Sequence, residues 1–292
     1  MADAVWTIAR LLTWTTDFFH EHGIDSPRLD AEVLLSTVLG RDRIYLYVHF
    51  DEPLEPDELA RFRAYVKERA AHVPLAYVLG RREFMGLDFR VTRDTLIPRP
   101  DTEVLVQCAL DFLRARTDGG ADDLRIADIG TGTGAIALSV IHYTEGACAD
   151  VVDISPAAAA VARENAEKLG LTERLDVHVG DLLAPLAGRS YDMILSNPPY
   201  IPTADIAGLM PEVCRYEPHL ALDGGTDGLN IYRRLMADAP ALLNEGGAIA
   251  VEVGIDEAAA VAALAMAHSR IVRTETLKDL GGIERVVVGY TV

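Results

Sequence analysis

Asn197-Pro198-Pro199-Tyr200 is the segment of this sequence whose residue types and order most narrowly specify a chemistry. Proline fixes φ and carries no N–H, so two in succession hold the chain extended and leave nearby carbonyls without local donors. The Asn197 side-chain oxygen and the Pro198 carbonyl then form two converging acceptors, which can take both hydrogens of one NH2 group. Tyr200 can lie against a flat π system and set its plane. Such a pair matters because an amide or aryl nitrogen is a poor nucleophile, its lone pair being delocalised. Hydrogen bonds from both N–H groups oppose that delocalisation and favour a pyramidal nitrogen presented to an electrophilic carbon, such as the methyl of a sulfonium. In-line placement supplies most of the remaining acceleration. No strong base is needed beforehand, since the proton turns acidic as the nitrogen gains positive charge. Neither a metal nor a covalent enzyme intermediate is required. The plainer reading of the same four residues is a proline turn after a strand.

A second constellation precedes it. In Asp128-Ile129-Gly130-Thr131-Gly132-Thr133-Gly134-Ala135, glycines stand where a strand becomes a helix, so the backbone can turn tightly and approach a ligand without Cβ clashes. Sheets of this kind bind ligands beyond the carboxyl ends of their strands, and Gly130, Gly132 and Ala135 fit the dinucleotide pattern as well. Asp153 follows at the end of the next strand, where a carboxylate can accept from a ribose diol or, with Ser155, cap the helix opening at Pro156. Asp181-Leu182, after the third strand, occupies the place where an adenine edge and face would be read. These residues alone leave a nicotinamide cofactor and S-adenosylmethionine equally open.

The elements that must position these residues are legible in outline. Residues 1 to about 80 carry apolar side chains at helical spacings, with starts at Pro27 and Pro56 and a stop at Gly40, and five or so short helices are expected. From Arg82 to Val91 the apolar residues alternate about Gly86, as in a hairpin. The prolines of Ile97-Pro98-Arg99-Pro100-Asp101-Thr102-Glu103 make a linker, with Asp101 or Thr102 free to cap a helix running to about Arg116. Strands are then expected at Leu124–Ile129, Ala149–Asp153, Leu175–Val179, Tyr191–Ser196 and Ala248–Val253. Helices alternate with them at Gly134–Tyr143, Pro156–Leu169, Gly228–Leu243 and Glu257–His268. Ile271–Thr276 and Arg285–Tyr290 close the chain as an antiparallel pair. This is the pattern of an open, doubly wound α/β sheet. The expected division is a helical domain over 1–82, a hairpin and linker over 83–103 and a catalytic domain over 104–292.

Composition narrows the function classes. The formal charge is −18, from 27 Lys and Arg against 45 Asp and Glu. Gripping duplex DNA ordinarily takes a basic stripe that displaces counterions, and the densest basic run, Arg61-Arg63-Lys67-Arg69, has the spacing of a solvated helix face. A direct nucleic-acid substrate is therefore not expected. The longest apolar runs, Ala157–Ala162 and Ala258–Ala267, are shorter than a membrane span. The first ten residues lack a basic segment followed by an apolar core. Three scattered cysteines suggest no disulfide framework, hence a reducing, cytoplasmic setting, and a monomer is expected.

Taken together these segments resemble the release-factor glutamine methyltransferase (HemK) family over nearly the whole chain. The resemblance is carried by the helical N-terminal region, by Pro74-Leu75-Ala76-Tyr77-Val78-Leu79-Gly80 and Glu83-Phe84-Met85-Gly86, and by the proline linker. The glycine loop, Asn197 to Tyr200 and Ala221-Leu222-Asp223-Gly224-Gly225-Thr226-Asp227-Gly228-Leu229 complete it. Asn-Pro-Pro-Tyr alone is shared with DNA adenine methyltransferases; its combination with the linker is more specific. The resemblance implies a seven-stranded Rossmann-like methyltransferase sheet, its last strand antiparallel, with a small all-α N-terminal domain. It implies S-adenosylmethionine as cofactor, S-adenosylhomocysteine as its product, and the glutamine of the Gly-Gly-Gln motif of peptide-chain release factors as acceptor. By position, Gly130, Thr131, Gly132, Thr133 and Gly134 would contact the methionine part, with Asn197 beside the cofactor. Asp153 would hold the ribose, Asp181 and Leu182 the adenine, and Asn197, Pro198, Pro199 and Tyr200 the glutamine amide. The family often carries an aromatic where Leu182 stands. The competing readings are a ribosomal-protein glutamine methyltransferase, a DNA adenine-N6 methyltransferase that flips its base, and a non-catalytic cofactor-binding protein.

Overall fold

The computed structural model describes residues 5–292. In chain order its elements are α1 (Ile8–Glu21), α2 (Pro27–Leu39), α3 (Arg43–Val48), α4 (Pro56–Ala70), α5 (Leu75–Leu79), β1 (Arg81–Phe84), β2 (Leu87–Arg90), α6 (Glu103–Asp118), β3 (Arg125–Ile129), α7 (Ala135–Tyr143), β4 (Cys148–Asp153) and α8 (Pro156–Leu169). They continue with β5 (Leu175–Val179), β6 (Tyr191–Ser196), β7 (Ile201–Pro202), α9 (Pro211–Tyr216), β8 (Asp223–Gly225), α10 (Asn230–Asp238), β9 (Leu243–Glu252), α11 (Ala258–Met266), β10 (Ile271–Lys278) and β11 (Glu284–Thr291). The chain forms two compact units: one runs to Gly80 and also takes in Pro211–Tyr216, the other comprises Arg81–Met210 and Glu217–Val292.

In the helical unit, Pro27 and Pro56 each occupy a first turn, where the missing N–H costs nothing, and Gly40 ends α2 at φ 63°. The Glu58 carboxylate accepts from Glu55 N at 2.9 Å, half of a capping box at the start of α4. Phe19, Leu34, Leu35, Leu46 and Phe62 fill its core. Arg69 is buried there, donating to Asp30 at 2.7 Å and to Glu212 of α9 at 2.5 Å. The Tyr216 hydroxyl donates to Ala71 O at 2.6 Å. The six-residue α9 is thus fastened to the helical unit by a buried ion pair and a hydrogen bond.

In the second unit seven strands pair in the order β10-β11-β9-β6-β3-β4-β5. β9, β6, β3, β4 and β5 are mutually parallel, and β11 runs antiparallel to both β9 and β10. Every residue of β6 is buried, as expected of a central strand covered on both faces. Ile126, Val151, Met193 and Leu195 face α6, α7 and α8; Ala127, Val152, Ile194 and Ile249 face α10 and α11. The strand order reverses direction between β3 and β6, so a crevice opens beyond their carboxyl ends. There the Ser196 hydroxyl donates to Ile129 O at 2.6 Å.

Two local expectations changed. β9 begins at Leu243 rather than Ala248, and α10 ends at Asp238, followed by a 3-10 turn over Ala239–Leu242. Pro240 stops the helix, while Asn244–Gly247 forms a bulge: Leu243 pairs with Tyr191 and the next pairing is Ala248 with Met193. Glu245-Gly246-Gly247 reads as a turn in sequence because a bulge and a turn draw on the same residues. A short parallel pair, β7 with β8, also lies beyond the corner at Tyr200.

Candidate active site

The glycine loop is held by its own backbone. Gly130, Gly132 and Gly134 take φ of 75°, 55° and 80°. Gly130 N and Thr131 N donate to Val152 O at 2.8 and 3.0 Å, and Gly132 N donates to an Asp153 oxygen at 2.8 Å. A Cβ on Gly130 or Gly132 would meet nothing within 4 Å, so these glycines answer a conformational need and leave open space above the loop. Gly134 differs. It does not line the cavity; a Cβ there would lie 2.9 Å from Leu138 and 3.3 Å from Ala162, so it spaces α7 from α8.

Behind the loop Asp128 is wholly buried, accepting from the Thr131 hydroxyl at 2.7 Å with Oδ1 unpartnered. Burial pushes its carboxyl up to about 7. Asp153 accepts from Gly132 N through one oxygen and from Ser155 N, at 2.9 Å, through the other. The capping role falls to Ser155, which accepts from Ala158 N at 3.2 Å. Asp153 is therefore fixed in direction by two backbone donors, with lone pairs to spare for a diol.

These residues open onto one cavity of about 410 Å³, lined by Gly130, Thr131, Gly132, Thr133, Asp153, Asp181, Leu182, Asn197 and Pro199 among others. Asp181 bonds Arg234 of α10 at 2.6 Å, and both line the cavity. Leu182 takes φ 48°, a left-handed conformation that a non-glycine residue adopts at some cost, and its side chain packs on the apolar cluster of α10 and α11. The wall is thus a carboxylate presented by backbone donors, an apolar flank and a glycine-lined opening. That donor set suits a ribose bearing a flat base, and the volume suits a nucleoside-sized ligand.

The proline corner divides. Asn197 and Pro199 line the cavity; Pro198 and Tyr200 do not. Tyr200 packs against the α10–α11 cluster, and burial pushes its phenol up to about 12. It fits because glycines surround it: a Cβ on Gly224 would lie 2.7 Å from Tyr200 Cα, and one on Gly254 would lie 3.1 Å from the Tyr200 ring. Asn197 Nδ2 donates to the Thr102 hydroxyl oxygen at 3.2 Å. Thr102 therefore makes no cap at the start of α6; its side chain is turned to Asn197, and Glu103 begins the helix after a 3-10 turn over Pro100–Thr102.

Several neighbours of the site carry no site role in the sequence analysis. Thr102, Arg99 and Arg234 line the cavity. Arg99 pairs with Glu217, whose other oxygen accepts from Ile97 N at 3.5 Å, so the linker is held from Glu217. Glu252, the last residue of β9, is buried with Oε2 unpartnered. Only the linker carried a signal, its prolines; the others are single polar residues in ordinary settings.

Two family models match: the PrmC N-terminal domain over residues 10–80 and the methyltransferase small domain over residues 106–210. The release factor glutamine methyltransferase of Geobacter sulfurreducens is 46% identical over 285 residues, covering 98% of this chain and 97% of the relative. That of Moorella thermoacetica is 47% identical over 268 residues, with 92% and 93% covered. Among solved structures the hMettl16 catalytic domain, determined with an RNA hairpin, superposes with a TM-score of 0.59 at 15% identity, covering 90% of this chain and 93% of that one, a likeness of fold. With full-length identity at this level over both units, the chain belongs to the release factor glutamine methyltransferase family.

Proposed function

We propose that the enzyme transfers a methyl group from S-adenosylmethionine to the side-chain amide N5 of the glutamine in the Gly-Gly-Gln motif of peptide-chain release factors, leaving S-adenosylhomocysteine. The observation that carries this reading is one cavity lined both by the glycine loop with Asp153 and by Asn197, whose amide NH2 points to Thr102. With its donors turned inward, Asn197 has its carbonyl oxygen left to accept a hydrogen bond.

Asp153 would bind the ribose, Asp181 and Leu182 the adenine, and the loop from Gly130 to Thr133 the methionine part. Gly134 acts by spacing α7 from α8. When bound, the cofactor supplies an electrophilic methyl group on a positively charged sulfur. Asn197 Oδ1 and the Pro198 carbonyl receive the two hydrogens of the glutamine NH2 and turn its lone pair out of conjugation. Pro199 and Tyr200 hold that corner rigid, so the amide is oriented before reaction rather than during it. The nitrogen's surplus proton leaves to solvent once the new bond has formed.

The helical unit, with α9, would read the folded factor, and the reaction would take place in the cytoplasm on a monomeric enzyme. A release factor incubated with enzyme and cofactor, then mapped by mass spectrometry, should gain one methyl on the Gly-Gly-Gln glutamine. Methyl on another residue, on a ribosomal protein alone or on nucleic acid alone would overturn the assignment.

A further inference from the structure

We propose that Glu252 is a positioning residue which, through Thr102, locks the Asn197 amide with its NH2 inward and its carbonyl oxygen toward the substrate. The inference rests on the proposed role of Asn197 as acceptor. The oxygen and nitrogen of an asparagine amide are nearly the same size, so packing cannot choose between its two orientations; only neighbouring donors and acceptors can. A threonine hydroxyl cannot choose either, because it donates as readily as it accepts. A carboxylate can, since ionised it only accepts.

The topology brings these groups together. Ser196 pairs with Val251 in the parallel ladder of β6 and β9, so Asn197 and Glu252 are the next residues at the carboxyl ends of neighbouring strands. Glu252 is 3% exposed, and Tyr232 donates to its backbone carbonyl at 2.7 Å. The Thr102 hydroxyl and the Asn197 amide both favour the ionised form of its carboxylate, whose Oε2 has no other partner. Ionised Glu252 takes the single hydrogen of Thr102. Thr102 must then accept, which it does from Asn197 Nδ2 at 3.2 Å. The amide of Asn197 also favours ionised Glu252, so its second N–H is drawn to the same side. Both hydrogens are used inward, and Oδ1 alone remains for the substrate. Protonated Glu252 carries a donor of its own, which frees Thr102 and allows Asn197 to turn over. An NH2 would then face the substrate NH2, donor against donor.

The charged and titratable groups around Glu252 act in both directions. Arg285 of β11 favours the ionised form, while Asp101, paired to Arg285 at 2.7 Å, opposes it. Tyr200 and Tyr232 face it as neutral phenols whose own ionisation burial disfavours. Burial dominates and pushes the Glu252 carboxyl up to about 7. The orientation of Asn197 is therefore governed by pH near neutrality.

The test is single-turnover methylation of an intact release factor by wild type, E252Q, T102V and N197A at a series of pH values, with cofactor affinity measured alongside. Wild type should gain rate as pH rises through about 7. E252Q should lose about 10- to 100-fold in rate, as supporting partners of a reacting group commonly do, and its profile through neutrality should flatten. T102V should lose about tenfold by the same reasoning, and its profile should flatten as well, because the route from Glu252 to Asn197 runs through the Thr102 hydroxyl. Cofactor affinity should hold in both. An E252Q enzyme that keeps the wild-type profile overturns the positioning role, as does an undiminished T102V should E252Q fail to fold. If wild type leaves the glutamine unmodified, or N197A is as fast as wild type, the acceptor reading falls and this role with it.

Discussion

Two loops leave adjacent strands of the sheet at the same end and use glycine for opposite purposes. After β3, Gly130 and Gly132 sit in open space and are required by their positive φ; their absent side chains expose backbone to the cavity. After β6 the corner itself contains no glycine. It is stiffened by prolines, and its glycines come from elsewhere: Gly224 follows it by 24 residues of sequence and lets the Tyr200 main chain approach closely. One loop presents its backbone to the cavity, the other a side chain held by remote partners. Each has a buried carboxylate behind it, Asp128 or Glu252, with one oxygen unpartnered and its pKa pushed up to about 7. The difference teaches that a surface made of backbone can be encoded locally, whereas an oriented amide needs residues from several parts of the chain.

The contrast makes ranked demands on methyl transfer. Asn197→Ala should leave cofactor affinity nearly unchanged and slow transfer by about 10²–10³, the cost of one lost transition-state contact; rapid-quench kinetics with equilibrium cofactor binding would read this. Next, Asp153→Asn removes the charge from two backbone hydrogen bonds and a proposed ribose contact. It should weaken cofactor binding by about 1.5–3 kcal/mol in calorimetry while sparing the rate at saturation. Gly224→Ala and Gly130→Ala form a matched pair. A Cβ at Gly224 would stand 2.6 Å from Gly228 O, backbone that must move, so stability should fall by about 1–3 kcal/mol and rate with it. At Gly130 only the φ is strained, at about 1–2 kcal/mol, and cofactor affinity should suffer first. Equal losses in both properties for the two variants would erase the distinction between the loops.

The smallest effect on transfer is a pH signature in stability. The folded pKa of Asp128 lies above its unfolded value, so the folded state holds the proton more tightly. Its contribution is complete below the unfolded pKa, about 3.9, and is lost as pH rises toward about 7. Denaturant titrations of Asp128→Asn should show a shallower decline over that interval than wild type; identical curves would place the titration elsewhere.

The glycine loop was legible because strand, turn and helix signals fall within a dozen consecutive residues. The sheet was legible for a related reason: apolar runs such as Tyr191–Ser196 are buried on both faces and need no partner to be recognised. Asn197 stood out through its prolines. Thr102 did not, since at the start of a helix a threonine reads as a cap, and only the tertiary fold shows its hydroxyl turned to a residue 95 positions away. Glu252 was invisible for the same reason, a lone acid at the end of an apolar strand. Gly134 belongs to the same glycine run, and spacing in sequence cannot distinguish a glycine that opens space from one that lets two helices approach.

The fastening of α9 to Arg69 and Ala71 has a practical corollary for anyone dividing this protein. A fragment that stops at Gly80 omits one of its own helices and strands the Arg69 guanidinium beside a single carboxylate instead of two. The complementary fragment would display α9 with its anchoring surface stripped away. Swapping the helical unit between relatives therefore calls for two cuts and two grafts, the N-terminal helices together with Pro211–Tyr216, exchanged as a matched set.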